Sequence, residues 1–235
     1  MRVVAYNVRG FRDGADRVAR IVGDLAPDVL LLNETGARRR LRRFARSLGM
    51  AVAADPWSPL RRRAKDAVLV RPPWRIEQHH QQRFAGSARF YPRAALVARL
   101  RRDGLGLWAI AIHLGLRPLE RLQHAEEILR SIARLAGPVV LGGDLNERPE
   151  GKAVARLRRV LPDAWSLAGE GPAETIPASA PTARIDFLFV SPTIAVERAF
   201  VPQDAAIAVA SDHRPVVVDL SLAEPERDPA VAAGP

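Results

Sequence analysis

The sequence predicts an α/β domain, in which short buried strands alternate with amphipathic helices. Short runs of Val, Leu, Ile and Phe, such as Leu30-Leu31-Leu32 and Val216-Val217-Val218, are typical of strands that are buried on both faces. Between these runs, apolar residues recur at helical spacing over longer segments. The chain has 235 residues, 48% of them hydrophobic, which suffices for one large core.

Strands are predicted where an apolar run stands between turn-forming residues. Residues 51–101 are less regular, and two strands in that segment are separated by the polar residues 77–82. In chain order, the predicted strands span residues 2–6, 29–33, 67–70, 94–100, 105–112, 139–141, 185–190, 195–201 and 216–222.

Helices are predicted where apolar residues form one face and a capping or breaking residue stands at an end. Thr35 is predicted to cap the second helix, Gly49 to end it, and Pro27 to end the first. The clearest helix spans residues 118–136, and a short helix follows Pro149. The apolar faces of the first two helices are Val18, Ile21, Val22 and Leu25, and Leu41, Phe44, Ala45 and Leu48.

Residues 1–222 are predicted to form one domain, because the sequence contains neither an internal repeat nor a linker. Residues 169–183 form a loop rich in Gly, Pro and Ala, and residues 223–235 are predicted to be a disordered tail. There is no apolar run of about 18 residues and no secretory leader pattern. The lack of cysteine excludes disulfides, thiolate zinc sites and cysteine nucleophiles. We expect a monomeric, cytoplasmic protein without a transmembrane segment.

The formal net charge of +10 points to a polyanionic partner. All but two of the 36 basic residues are arginine, the exceptions being Lys65 and Lys152. Such a skew arises either from phosphate recognition or from GC-rich codons. The composition alone leaves both explanations open.

Four carboxylates, Glu34, Asp144, Asp186 and Asp212, stand at the ends of apolar runs spread over most of the chain. An unpaired polar group beside a buried strand costs roughly 2–7 kcal/mol, so each carboxylate needs a partner. No lysine lies within these segments, and only two of them have an adjacent arginine. The four acids therefore predict a bound divalent cation.

Six short segments at strand ends carry polar residues in a fixed order. They are Tyr6-Asn7-Val8-Arg9-Gly10, Asn33-Glu34-Thr35, Ile112-His113-Leu114, Gly142-Gly143-Asp144-Leu145-Asn146, Arg184-Ile185-Asp186-Phe187 and Ser211-Asp212-His213-Arg214-Pro215-Val216. The ordered set resembles the endonuclease/exonuclease/phosphatase superfamily. The resemblance implies a four-layer α/β sandwich with two central mixed β-sheets flanked by helices. It also implies a Mg²⁺-dependent phosphoesterase in which Mn²⁺ can replace Mg²⁺.

The resemblance implies a metal site and a water site. Glu34 would be the main metal ligand, with Asn7 and Asp212 beside it. Asp144 would orient or deprotonate the attacking water, and Asn146 would help to hold that water or a phosphate oxygen. These roles match the needs of phosphate ester hydrolysis, which requires an in-line water and neutralisation of the negative charge on the phosphoryl oxygens.

The resemblance also implies that two histidines contact the phosphate. Asp186 would fix the tautomer of His213, and His113 would be a second phosphate contact. An Asp–His pair of this kind supplies an oriented imidazole. The alternative interpretations make Asp186 a structural partner of Arg184 and His213 a capping residue.

Three positions depart from the family pattern. Asn33 stands where the family has Gln before the metal ligand, which shortens a hydrogen-bond donor beside the site. Lys65-Asp66 replaces a frequent Gly-Asn pair, so that an amide on the substrate side is lost. Arg9 stands where exonuclease III-like members have an acid. This favours one metal ion and makes Arg9 a candidate substrate-binding residue.

Arg39, Arg42 and Arg43 form part of a basic face on the second helix, which begins just after Glu34. A solvated face is the simplest explanation of such a pattern. The face also includes Arg46. If it lies beside the site, it would instead follow a phosphodiester backbone, and the arginines at 61–63 would extend it. The remaining histidines, expected at the surface, are His79, His80 and His124.

The sequence as a whole favours a metal-dependent phosphodiesterase that hydrolyses nucleic acid. The alternative within the family is a phosphoesterase acting on phospholipid or inositol-phosphate headgroups, or on another small phosphoester. The sequence shows no long apolar loop for membrane contact. A catalytically silent scaffold is a third reading, against which the set Glu34, Asp144, Asn146, Asp186 and His213 counts.

Overall fold

The computed structural model of the chain describes residues 1–56, 63–86 and 92–223. Within these residues, helices lie on the outer faces of two stacked β-sheets. The strands are β1 (Arg2–Asn7), β2 (Val29–Asn33), β3 (Ala51–Ala54), β4 (Ala67–Val70), β5 (Arg75–Arg83), β6 (Ala94–Arg102), β7 (Leu105–Ile112), β8 (Val139–Asp144), β9 (Gly169–Glu170), β10 (Asp186–Val190), β11 (Ile194–Phe200) and β12 (Val216–Leu222). The helices are α1 (Ala15–Leu25), α2 (Arg38–Ser47), α3 (Pro118–Ile132), α4 (Lys152–Arg158) and α5 (Ala164–Ala168).

Both sheets contain parallel and antiparallel strands. The larger sheet has the order β3-β4-β2-β1-β12-β11-β9, in which β1 is parallel to β2 and antiparallel to β12. The smaller sheet has the order β10-β8-β7-β6-β5, in which β7 and β8 are parallel and β10 is antiparallel to β8. The two predicted mixed sheets are thus confirmed.

Apolar side chains fill the three spaces between the layers. Val3 and Leu31 from the larger sheet share one cluster with Leu96 and Ala109 from the smaller sheet. A second cluster packs α1 and α2 on the outer face of the larger sheet, and a third packs α3 and α4 on the outer face of the smaller sheet. The molecule is therefore the four-layer α/β sandwich that the family resemblance implies.

Two local predictions are wrong. Residues 77–82 do not separate strands but belong to β5, an edge strand whose mostly exposed polar side chains discourage further pairing. Thr35 does not cap α2, which begins at Arg38 after Ala37. Thr35 is instead fully buried, and its backbone N–H donates to the carbonyl of Lys65 at 2.9 Å.

His124 also departs from its predicted place at the surface. It lies on α3 with no exposed area, and its ring is stacked on Phe84 with the ring centroids 4.6 Å apart. His79 and His80 are exposed on β5, as expected. The predicted long helix ends at Ile132, earlier than the apolar pattern indicates.

Six strands bring the candidate site to one edge of the sandwich. β1, β2, β7 and β8 end there, and the antiparallel β10 and β12 begin there. Asp144, the last residue of β8, pairs directly with Asp186, the first residue of β10. Carboxylates that are far apart in the sequence therefore converge, as is common at strand ends of α/β proteins.

The last strand, β12, ends at Leu222, where the predicted domain ends. Of the predicted tail, Ala223 belongs to the described residues and residues 224–235 lie outside them. No helix in the described ranges is long and apolar enough to cross a membrane.

Candidate active site

Asp144 lies at the centre of a buried network of predicted site residues. Its Oδ2 atom accepts a hydrogen bond from Asn7 Nδ2 at 3.0 Å and lies 3.4 Å from His113 Nε2 and 3.8 Å from His213 Nε2. His213 Nδ1 lies 2.8 Å from Asp186 Oδ2. All five residues are buried. The fold thus brings five strand ends together around one carboxylate.

The network controls the charge of both His213 and Asp144. Burial alone would lower the pKa of His213, but the charges of Asp186 and Asp144 and the hydrogen bond to Asp186 raise it to about 10. Burial also opposes ionisation of Asp144, yet the hydrogen bond and charge of His113 and the charge of His213 hold the pKa of this carboxyl below its usual range. At neutral pH, His213 is therefore a cation and Asp144 is ionised.

Asn146 is held by the turn that follows β8. Its backbone N–H donates to Asp144 Oδ1 at 2.8 Å, and its side-chain Nδ2 donates to the carbonyl of Leu114 at 3.1 Å. Its φ of 50° lies in the left-handed region, which costs a residue other than glycine about 1–3 kcal/mol. The turn and the side-chain bond together fix the Asn146 carboxamide next to Asp144.

Arg93 belongs to the site although no sequence motif marks it. Its Nη1 lies 2.6 Å from Nε2 and 2.8 Å from Nδ1 of His113, and both residues line the same cleft. Arg93 therefore places a permanent positive charge next to His113. Its only sequence signal is its position directly before a buried strand.

Next to His113, an open cleft of about 700 Å³ is bordered by five cationic side chains. Glu34 also lines this cleft, and its carboxylate has no hydrogen bond or ion pair with any described residue. The Glu34 backbone has a φ of 54°, and its carbonyl accepts a hydrogen bond from Gly10 at 2.6 Å. A Cβ atom on Gly36 would lie only 2.9 Å from the Gly10 carbonyl oxygen, so this turn requires glycine. The cationic residues are Arg9, Arg12, Arg63, Lys65 and Arg93.

Arg9 contacts two of the predicted metal ligands. Its Nε lies 3.3 Å from Asp212 Oδ2, and its backbone N–H donates to Asn7 Oδ1 at 3.1 Å. The Asp212 side chain is 41% exposed and also accepts a hydrogen bond from Ser211 at 3.4 Å. Of the predicted ligands, Glu34 is thus the one whose carboxylate is unpaired within the described part of the chain.

The oxygen donors of the site fit a hard divalent cation. Glu34 offers its unpaired carboxylate, and Asp186 Oδ1 is buried without a hydrogen-bond partner among the described residues. Asp144, Asp186 and His213 also bring ligand atoms within 4.8 Å of one another. His213 Nδ1, however, is already paired with Asp186 Oδ2 at 2.8 Å, and hard divalent cations prefer oxygen donors to imidazole. We therefore interpret the cation site as one built from carboxylate and amide oxygens.

The predicted substrate-binding residues on α2 are Arg39, Arg42 and Arg43, all of which are exposed. They do not line the cleft, although Ala37, the residue directly before α2, does. Arg42 instead borders a separate groove of about 290 Å³ together with Arg38 and His79. Two further arginines of the predicted basic track, Arg61 and Arg62, lie outside the described residues. The helix forms a second cationic surface next to the cleft.

Comparison of the sequence with known families places most of the chain in a family. The sequence model of the Endonuclease/Exonuclease/phosphatase family matches residues 4–213 of the chain. No curated protein sequence matches it significantly.

Solved structures share the architecture over nearly the whole chain. An endonuclease/exonuclease/phosphatase from Bacteroides vulgatus has a TM-score of 0.83 and 21% identity, with 94% of this chain and 98% of that chain covered. A mannosyl-6-phosphatase from Bacteroides thetaiotaomicron has a TM-score of 0.78 and 19% identity, with 94% and 100% covered. The catalytic domain of human Nocturnin with bound sulfate has a TM-score of 0.76 and 18% identity, with 95% and 94% covered. At these identities the likeness shows a shared fold.

Proposed function

Since this chain belongs to the endonuclease/exonuclease/phosphatase family of phosphate ester hydrolases, we propose that it is a metal-dependent phosphodiesterase acting on nucleic acid. The observation that carries the proposal is the cleft, which five cationic side chains line together with the Glu34 carboxylate and the His113 imidazole. A chain of repeated phosphates pairs with several of these cations at once, whereas a single phosphate leaves most of them unpaired.

Asp144 and Asn146 hold the attacking water in this proposal. Asp144 accepts a hydrogen bond from the water and orients it toward the phosphorus. Because the pKa of Asp144 is lowered, it is a weak base, and its main contribution is orientation. Asn7 donates to the Oδ2 atom of Asp144 and so fixes the direction of the carboxylate. The Asn146 carboxamide contacts the same water or a phosphoryl oxygen.

His213 and His113 contact the phosphoryl group. His213 donates its Nε2–H to a phosphoryl oxygen, while Asp186 holds the Nδ1–H. The raised pKa keeps the ring cationic at neutral pH, so the ring stabilises the negative charge that develops during attack. His113 forms a second contact, with the guanidinium of Arg93 beside it.

Glu34, Asn7 and Asp212 are the proposed ligands of one divalent cation, either Mg²⁺ or Mn²⁺, because such ions prefer oxygen donors. A cation bound there would supply charge neutralisation at the phosphoryl oxygens. Arg9, which contacts both Asn7 and Asp212, is proposed to bind a substrate phosphate next to these ligands. On α2, Arg39, Arg42 and Arg43 are proposed to hold the backbone of a longer nucleic acid.

The proposal is tested by measuring hydrolysis of single-stranded DNA, RNA, a chromogenic phosphodiester, inositol phosphates and a sugar phosphate, each with Mg²⁺, Mn²⁺ or EDTA. We expect metal-dependent hydrolysis of nucleic acid and of the diester. Changing the cleft residues Arg12 and Lys65 to Gln should weaken the reaction on nucleic acid more than on the small diester. A preference for inositol phosphates or phospholipid headgroups would instead support the headgroup phosphoesterase. A cytoplasmic location and a monomeric state stay predictions.

A further inference from the structure

The side chain of Asn33 joins the two sheets directly beneath the candidate site. Its Oδ1 accepts a hydrogen bond from the backbone N–H of Asp144 at 2.9 Å, and its Nδ2 donates to the carbonyl of Ile112 at 3.1 Å. Asn33 ends β2 in the larger sheet, whereas Ile112 and Asp144 end β7 and β8 in the smaller sheet. One fully buried amide thus ties the two layers together at the edge that carries His113 and Asp144.

The backbone of β8 is shaped to admit this amide. Gly143 has a φ of 141°, and a Cβ atom at this position would lie 2.5 Å from Asn33 Oδ1. Any larger residue would therefore push Asn33 away from β8. The close approach shows that the contact between the sheets is tight at the residue before Asp144.

Asp66 is the third partner of the Asn33 amide. Its Oδ1 accepts a hydrogen bond from Asn33 Nδ2 at 2.8 Å, and its carboxyl group is fully buried. Its Oδ2 has no hydrogen-bond partner among the described residues. Burial raises the pKa of Asp66 well above its ordinary value, although the bond from Asn33 and the charge of Arg93 oppose this shift. A neutral carboxyl group presents one acceptor oxygen and one O–H donor, much as an Asn side chain presents an oxygen and an N–H.

We propose that Asn33 and Asp66 are a positioning pair for the reaction, in which Asp66 holds the Asn33 amide so that it fixes the spacing between His113 and Asp144. The proposal deepens the proposed function and rests on it. In the observed orientation, the donors and acceptors of Asn33 all match their partners. With the amide reversed, its nitrogen would face the Asp144 N–H, and its oxygen would face two acceptor oxygens.

If Asn33 and Asp66 act as a positioning pair, substitutions of Asp66 should change kcat in a specific pattern. Asp66→Asn keeps an acceptor oxygen for Asn33 and should retain kcat within about threefold. Asp66→Leu removes the acceptor and should lower kcat by about 10–100-fold, the usual effect of losing a residue that orients a catalytic group. The KM should change little, because neither residue contacts the substrate. Thr35→Val is the matched control, since Thr35 is equally buried and its hydroxyl has no partner among the described residues.

The experiment measures kcat and KM on the chromogenic phosphodiester for the wild type and the three variants, with thermal unfolding to check the fold. The proposed role of the pair would be refuted if Asp66→Leu had the same kcat as Thr35→Val. It would also be refuted if Asp66→Asn lost as much kcat as Asp66→Leu. If Asp66→Leu does not fold, Asp66→Ala, which also removes the acceptor, replaces it in the same comparison, and a kcat for Asp66→Ala equal to that of Asp66→Asn counts against the pair. A wild type inactive on every phosphodiester would refute the proposed function itself.

Discussion

The carboxylate of Asp186 accepts a hydrogen bond from His213 Nδ1 at 2.8 Å. Both side chains are buried, and the other ring nitrogen of His213 lies 3.8 Å from Asp144 Oδ2. Because a carboxylate lies on either side of the His213 ring, the same two groups fix the orientation of the ring and stabilise its positive charge. In the proposed reaction, Asp186 acts through His213 and does not contact the substrate.

Asp186 and His213 should therefore behave as one unit. We expect Asp186→Asn and His213→Ala each to lower kcat by about 10²–10⁴, because each removes the oriented, charged imidazole. The kcat of the double variant should be no lower than that of the more impaired single variant. The measurement is kcat on a chromogenic phosphodiester for all four proteins. Losses that multiply in the double variant would show that the two residues act independently.

Glu34 should control binding of the divalent cation. We expect Mg²⁺ or Mn²⁺ to raise the Tm of the wild type, because a ligand that binds the folded state stabilises it. Glu34→Gln removes the unpaired carboxylate and should abolish most of this rise. Glu77→Gln, on the exposed edge strand β5, is the control and should retain it. An undiminished rise in the Tm of Glu34→Gln would place the cation elsewhere.

His124 should make stability fall in mild acid. Desolvation lowers the pKa of this buried histidine, so the unfolded chain takes up a proton first as the pH falls through about 6.5. The neutral His124 side chain therefore contributes fully to the free energy of unfolding above that pH, and this contribution is lost as the pH falls below it. Urea unfolding at about pH 7.5 and about pH 5 should show a larger loss of unfolding free energy in the wild type than in His124→Gln. Equal losses in the two proteins would contradict this role.

The arginines of α2 should contribute to binding of nucleic acid through its phosphates. Changing Arg39, Arg42 and Arg43 to Gln should reduce the slope of log affinity against log salt by about 0.7–0.9 for each lost contact. Helix propensity should hardly change, since Gln and Arg are similar helix formers. The small phosphodiester should be hydrolysed as before.

A triple variant of three exposed arginines on the opposite side of the sandwich serves as the control for the charge change; they are Arg130, Arg134 and Arg159. If the α2 variant and this control have the same salt slope as the wild type, the α2 arginines are a solvated face. The headgroup phosphoesterase would then be the better reading.

Much of the fold could be predicted because several of its strands, such as β2, β8 and β10, are buried on both faces and its helices have regular apolar faces. The edge strand β5 could not, because its mostly exposed side chains leave no apolar pattern to detect. The expected surface position of His124 is wrong because it rests on residue type alone. Its place on the apolar face of α3 is the signal that indicates burial. Thr35 resembles a helix cap locally, but its burial is decided by tertiary packing.

The part of the candidate site that belongs to sequence motifs could be predicted. Asp144, Asp186 and His213 stand at strand ends in a recognisable order, and the fold brings them together. Arg93 could not be found in this way, because it is one of many arginines and its contact with His113 depends on the pairing of β6 and β7. Likewise, the sequence suggests Arg184 as a partner of Asp186, but Arg184 pairs with Asp163 at 2.5 Å.

The most direct test of the account is the turnover of a single-stranded DNA oligonucleotide in Mg²⁺ by the wild type and by Asp144→Asn. The substitution removes the charge at the centre of the buried network, while Asp103→Asn removes an exposed acid in a surface turn and serves as the control. We predict that Asp144→Asn loses about 10²–10⁴ in kcat and that Asp103→Asn retains the wild-type rate. Wild-type turnover by a folded Asp144→Asn would contradict the assignment of catalysis to this site.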